Sequence, residues 1–212
     1  MMNMLSKLLA IALSASALTF ASAASAQEAP DALVKRISEE VLNTAKTDKD
    51  IQAGNISRIV ALVEEKILPY VDSERMTALA AGRYWRQATP EQQKQLITEF
   101  RSLLIYTYSG ALSTVRDQKI EYKPLRADPA DTEVEVRSQV IQSRGEPLQL
   151  AYRLEKLPSG WKLYDVNVMG AWLVEAYKGT FQSEITKGGI DGLIKSLSDK
   201  NKQLAARSSA KK

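Results

Sequence analysis

Asp165 has the strongest claim in this sequence to acid–base chemistry, because it interrupts an otherwise apolar run of Trp161, Leu163, Tyr164, Val166 and Val168. A desolvated carboxylate can serve as a general acid or base. A glycosidase-like reaction would need a second acid across a cleft, and no second acid can be placed by spacing. The plainer role is a hydrogen-bonded structural aspartate bracing the turn at Gly170, since buried carboxylates are commonly held that way. The 212 residues include no His and no Cys, which removes the commonest general base, the commonest metal ligand and thiol chemistry. A Gly-x-Ser-x-Gly elbow, a phosphate loop and a dinucleotide fingerprint are also missing. A hydrolase built on Asp165 is therefore the weakest of the functions considered. The chain is expected not to be an enzyme and to carry no metal or cofactor.

Aromatic residues give the richer pattern. Tyr84, Trp85, Phe100, Tyr106, Tyr108, Tyr152, Tyr164, Trp172, Tyr177 and Phe181 fall on faces expected to point inward. Any one of them suits an ordinary core. As a set they suit a pocket mouth, where an apolar ring with a polar tip is useful. Arg137, Arg144, Arg153 and Lys178 lie near these faces and could meet a phosphate, or could be ordinary surface charge.

The elements that must position these residues follow from periodicity. Asp31 is a candidate N-cap for a first helix with Leu33, Ile37, Val41 and Leu42 on one stripe, and a second helix spans 56–68 until Pro69. A short helix follows at 73–82. Thr89-Pro90-Glu91-Gln92 reads as a capping box with proline at the first helical position. It opens a long helix to about Arg116, whose apolar face (Leu96, Phe100, Leu103, Leu104, Ala111, Val115) is widened by Tyr106, Tyr108 and Leu112. From Lys119 the period drops to two. Ile120 and Tyr122, then Val134 to Val140, then Leu148 to Leu154, then Trp161 to Val168 read as four antiparallel strands with one wet and one covered face. After Gly170 the period returns to about four with Leu173, Tyr177, Phe181 and Ile185. Gly188-Gly189 makes a corner before a last helix with Ile190, Leu193, Ile194 and Leu197. The expected fold is α+β, a twisted antiparallel sheet of four or five strands packed against several helices. The space between the Leu173 helix and the sheet is expected to be left partly open for an apolar guest.

Three regions divide the chain. Residues 1–26 read as a cleaved signal peptide, with Lys7, an apolar run from Leu8 to Phe20 and the small-x-small site Ala24-Ser25-Ala26. Residues 27–199 form one domain, and residues 200–212 are expected to be a basic, disordered tail. Without Lys7 the formal charge of +4 falls to about +3, helpful at an anionic surface but far from a nucleic-acid footprint. With no cysteine, stability must come from packing, and no thiol can carry a lipid anchor.

Several pieces recur together in one known family. Leu68-Pro69-Tyr70-Val71, Tyr84-Trp85, Ala88-Thr89-Pro90-Glu91, Phe100 and Tyr108, Gly160-Trp161 through Tyr164-Asp165-Val166, and Lys187-Gly188-Gly189-Ile190-Asp191-Gly192-Leu193 resemble, in order and spacing, the MlaC family of periplasmic phospholipid-binding proteins, also called toluene-tolerance proteins. Gly170-Ala171-Trp172 departs from the family's commoner small residue followed by serine. The resemblance implies an NTF2-like fold with a hydrophobic cavity between sheet and helices, and a periplasmic carrier with phospholipid as its bound ligand. It implies transient docking to an inner-membrane ABC transporter complex and an outer-membrane lipoprotein–porin complex, and upkeep of outer-membrane lipid asymmetry by a monomer. The residues expected against lipid tails are Tyr84, Trp85, Phe100, Leu103, Leu104, Tyr108, Val136, Leu150, Tyr152, Tyr164, Val166, Trp172, Leu173, Tyr177 and Phe181. Arg137, Arg153 and Lys178 are expected near the headgroup. The competing expectation is a secreted NTF2-like interaction module with a filled core and no lipid.

Overall fold

The computed structural model describes residues 27–142 and 145–209. The signal-peptide expectation at 1–26, Arg144 and residues 210–212 lie outside them.

Three of the first four helices begin where a side chain satisfies an amide of the first turn, and the other begins at a proline, which has no N–H to satisfy. Helix α1 (Pro30–Thr47) starts with Pro30 at its first position and Ala29 as N-cap. Asp31 is therefore in the first turn, where its charge suits the helix dipole, and is not the cap expected of it. Asp48 caps α2 (Lys49–Gln52), Asn55 caps α3 (Ile56–Lys66) and Asp72 caps α4 (Ser73–Ala81), each accepting a backbone N–H two or three residues on. Pro69 sits in a 3-10 turn, Leu68–Tyr70, and a second 3-10 turn, Gly82–Gln87, leads to α5 (Pro90–Ser113). The capping box is formed as expected: Gln92 N–H donates to Thr89 Oγ1 at 3.2 Å, and Thr89 N–H donates to Gln92 Oε1 at 3.0 Å.

Five strands follow, β1 (Lys119–Tyr122), β2 (Glu133–Ile141), β3 (Leu148–Leu157), β4 (Gly160–Val168) and β5 (Ala171–Trp172), in one antiparallel sheet ordered β1-β2-β3-β4-β5. Val136, Tyr152 and Val166 lie side by side across β2, β3 and β4, as do Ser138, Leu150 and Val168. One apolar face results. The register slips once, so that Arg153 faces Asp165 while Leu154 faces Leu163. Tyr164 is the extra residue of a β-bulge, and both it and Asp165 turn to the outer face while Leu163 and Val166 stay on the apolar one. The outer edge of β4 is closed piecemeal. Val71 bridges Leu163 in parallel, β5 pairs at Asn167 and Val168, and between them the Asp165 side chain takes the Val166 N–H at 2.9 Å.

Helix α6 (Leu173–Ser209) is interrupted at Gly189, whose φ of 68° and ψ of −170° lie outside the helical region. This is the corner expected from Gly188-Gly189, and the positive φ explains the glycine. The helix does not cover the sheet as expected. Its stripe of Phe181, Ile185, Leu193 and Leu197 packs with Met76 and Ala80 of α4 and Leu96, Phe100 and Leu103 of α5 in a solid cluster. The expected tail disorder is corrected too, because the helix continues through Lys200 to Ser209. Asn201 is buried, its Nδ2 donating to the Glu99 backbone oxygen at 2.9 Å and Oε2 at 2.7 Å, and Leu204 joins the cluster. Polar Asn201 occupies a stripe position and hides the helix from a hydrophobicity reading.

Candidate ligand cavity

The sheet's apolar face meets α1 and α5 across a gap. Leu148, Leu150, Tyr152, Leu154, Leu163 and Val168 form its floor, and Leu33, Val34, Ile37 and Val41 of α1 with Tyr108, Ala111 and Leu112 of α5, and Val115 just past its end, form its roof. The lobe, which is partly open to solvent, has a volume of about 410 Å³. A second apolar lobe of about 310 Å³ lies where α3, α4 and α5 meet β4, walled by Val63, Met76, Phe100, Leu104, Ile105, Val166 and Leu173 among others. The lobes share Ile67, Val71, Tyr108, Ala111, Leu112, Leu163 and Val168. Either lobe alone is of the size that holds a small ligand.

An apolar space that stays dry forgoes the contacts its walls would otherwise make, so this lobe favours an apolar occupant.

Among the described residues, none with a charged side chain lines the first lobe. Its polar members are Ser38, Thr114, Gln118 and Gln142, the last three gathered where α5 hands over to β1 and β2 ends. Tyr152 lies deep in the molecule yet keeps part of its ring accessible, because that ring faces the lobe. Burial raises its phenol above the ordinary value, opposed by the neighbouring Ser138 and Ser38 hydroxyls. Tyr122, beside Ser38, is pushed up to about 12, again mainly by burial. Neither phenol ionises near neutral pH.

Of the residues expected to meet lipid tails, Phe100, Leu104, Tyr108, Leu150, Tyr152, Val166 and Leu173 line these lobes. The others do not. Tyr84, Trp85, Leu103, Tyr177 and Phe181 belong to the solid cluster under α6, where Phe100 and Phe181 meet edge to face at 4.9 Å. Val136 is 1% exposed in the sheet core. Tyr164 sits on the outer face with Arg75 over its ring at 3.7 Å and its hydroxyl donating to Glu133 Oε2 at 3.0 Å. Trp172 is covered by Arg153 at 3.7 Å. Of the basic residues expected near a headgroup, Arg137 pairs with Glu135 at 2.6 Å, Arg153 with Asp165 at 3.7 Å and Lys178 with Glu175 at 2.7 Å, and none lines either lobe. The α1 stripe, Ile67, Val71 and Leu112 were legible as apolar positions, but nothing in the sequence says that they face a void.

Asp165 is 3% exposed. Its Oδ1 accepts the Val166 and Val174 N–H groups, so it is hydrogen-bonded as the structural reading expects, and its bonds span the Gly170 turn to cap the start of α6. Burial raises its carboxyl above the ordinary range, against those two amides and Arg153. Among the described residues, no group of three or more carboxylates could hold a metal ion, and no helix is long and apolar enough to cross a membrane.

An α+β shell around two greasy lobes, with the buried Asp165 carboxylate spent on a helix cap, defines a binding protein for an apolar molecule. Comparison with known proteins narrows the class. Residues 35–199 match the family model described as MlaC protein, and the chain belongs to that family. It is 24% identical over 172 residues to the "Intermembrane phospholipid transport system binding protein MlaC" of Haemophilus influenzae, covering 80% of each chain. It is 26% identical over 167 residues to "Toluene tolerance protein ttg2D" of Pseudomonas putida, covering 78% of this chain and 77% of that one. A phospholipid-binding protein from Ralstonia solanacearum, solved in complex with a phospholipid, superposes with a TM-score of 0.80 at 50% identity, over 82% of this chain and 98% of the other.

Proposed function

We propose that this protein is a periplasmic phospholipid carrier that encloses acyl chains in the two lobes and leaves the headgroup in water. The observation that carries it is the 410 Å³ apolar lobe, in a chain half identical to a protein solved with a phospholipid. The physics of the cargo fits. Two acyl chains hold on the order of 30 methylenes, and at about 0.8 kcal/mol each their exposure to water costs upward of ~20 kcal/mol. Lipid therefore crosses an aqueous space only inside an equivalent apolar shell. Because tail recognition is non-directional, selectivity among headgroups is expected to be weak.

In this reading the NTF2-like domain is exported by residues 1–26, and lipid passes between outer-membrane lipoprotein–porin and inner-membrane ABC transporter complexes, maintaining outer-membrane lipid asymmetry. The carrier works as a monomer, performs no chemistry and binds no nucleic acid or cofactor. Native mass spectrometry of the purified protein, followed by solvent extraction, is expected to recover phospholipid at a fixed stoichiometry. An empty protein that also takes up no labelled lipid from vesicles would overturn the proposal and favour a filled interaction module.

A further inference from the structure

Among the described residues, Arg101 is the only charged one on the wall of either apolar lobe. It projects from α5 beside Phe100, Leu104, Ile105 and Tyr108. It is half-buried, and among the described residues it takes no hydrogen bond, ion pair or aromatic ring. Its own helix offers no relief, since the residues three and four positions away are Ile97, Thr98, Leu104 and Ile105. The hydroxyls of Thr77 and Ser109 on the same wall donate to helix carbonyls, Ser73 and Tyr106, and carry no charge to balance the guanidinium. A guanidinium partly withdrawn from water without a counter-charge is costly, and its fork matches a phosphate.

We propose that Arg101 is the anion anchor of the second lobe, taking the phosphodiester of a lipid whose alkyl chains lie in the apolar space. This rests on the proposed carrier function and moves the headgroup site away from Arg137, Arg153 and Lys178, each already paired. The shared chemistry is an anionic phosphate oxygen pair, whether on a lipid or free in solution.

The test offers the full chain phosphatidylglycerol and a diacylglycerol with the same tails, each in maltoside micelles, and reads occupancy by native mass spectrometry. Arg101→Met keeps the unbranched stem, so its packing survives, and Arg101→Gln repeats the measurement with a polar side chain. Both variants are expected to bind phosphatidylglycerol about tenfold more weakly, the worth of one charge-assisted hydrogen bond, with diacylglycerol uptake unchanged. Unchanged phosphatidylglycerol binding, or equal loss of both lipids, overturns the anchor while leaving the carrier intact. Wild-type protein that takes up neither lipid overturns both. Inorganic phosphate forms the last arm: if it raises the melting temperature of wild type but not of Arg101→Met while lipid uptake is equal in the two, Arg101 serves free phosphate and the lipid anchor is overturned.

Discussion

The Val174 N–H donates to Asp165 Oδ1 at 3.1 Å, across nine residues that include the Gly170 turn and β5. This bond joins the bulged end of β4 to the first turn of α6 and fixes where that helix leaves the sheet. Asp165→Ala would leave two buried amides unpaired and is expected to cost about 2–3 kcal/mol, read by urea unfolding.

Asp165→Asn keeps an oxygen for both amides and cannot ionise. Because burial raises the carboxyl in the folded state, the fold holds its proton more firmly than the unfolded chain does. Stability from this group is greatest below the ordinary value of 3.8 and falls as pH rises through the raised folded value. Unfolding at pH 4 and pH 7 should show wild type losing stability relative to Asp165→Asn. Parallel curves would mean that Asp165 titrates normally.

Glu133 carries the opposite sign. Its carboxylate receives Arg75 at 2.6 Å and the Tyr164 hydroxyl, which hold its pKa below the ordinary 4.5. The stability it contributes is present above pH 4.5 and is lost as pH falls through the lowered folded value. Glu133→Gln is expected to flatten the acid limb of the stability curve without altering the neutral plateau's lipid occupancy.

Filling the first lobe separates function from folding. Leu150→Trp places an indole into open space and is expected to displace lipid while changing stability by no more than about 1.5 kcal/mol, read by extraction and thermal melting together. A large stability loss with lipid retained would make Leu150 ordinary core.

Phe181 is the counterpart. It is 0% exposed and meets Phe100 and Tyr177 in the solid cluster. Phe181→Ala is expected to cost about 3–5 kcal/mol, and any lipid lost should track the unfolded fraction.

Alternation and caps were enough to place the sheet, the long helix and the Gly189 corner. The cavity was harder. Phe181 and Leu150 have the same apolar character in sequence, yet one is clamped between helices and the other borders a void, and only the spacing of α1 above the sheet separates them. The bulge at Tyr164 had the same effect on the outer face. A strict period of two gives Tyr164 and Val166 one side and Asp165 the other. The extra residue instead sends Tyr164 outward with Asp165, which took Tyr164 out of the expected lining. Arg101 was unremarkable in sequence because its meaning lies in what does not surround it.

With Val71, β5 and the Asp165 carboxylate occupying the margin of β4, the opposite margin, among the described residues, is β1 and the part of β2 before Ser138 that β1 does not pair. β1 is four residues long and carries Lys119 and Glu121, and the uncovered part of β2 carries Glu133 and Glu135. Strand-by-strand polymerisation, the usual hazard of an open sheet, therefore meets a short edge strand and charged side chains there.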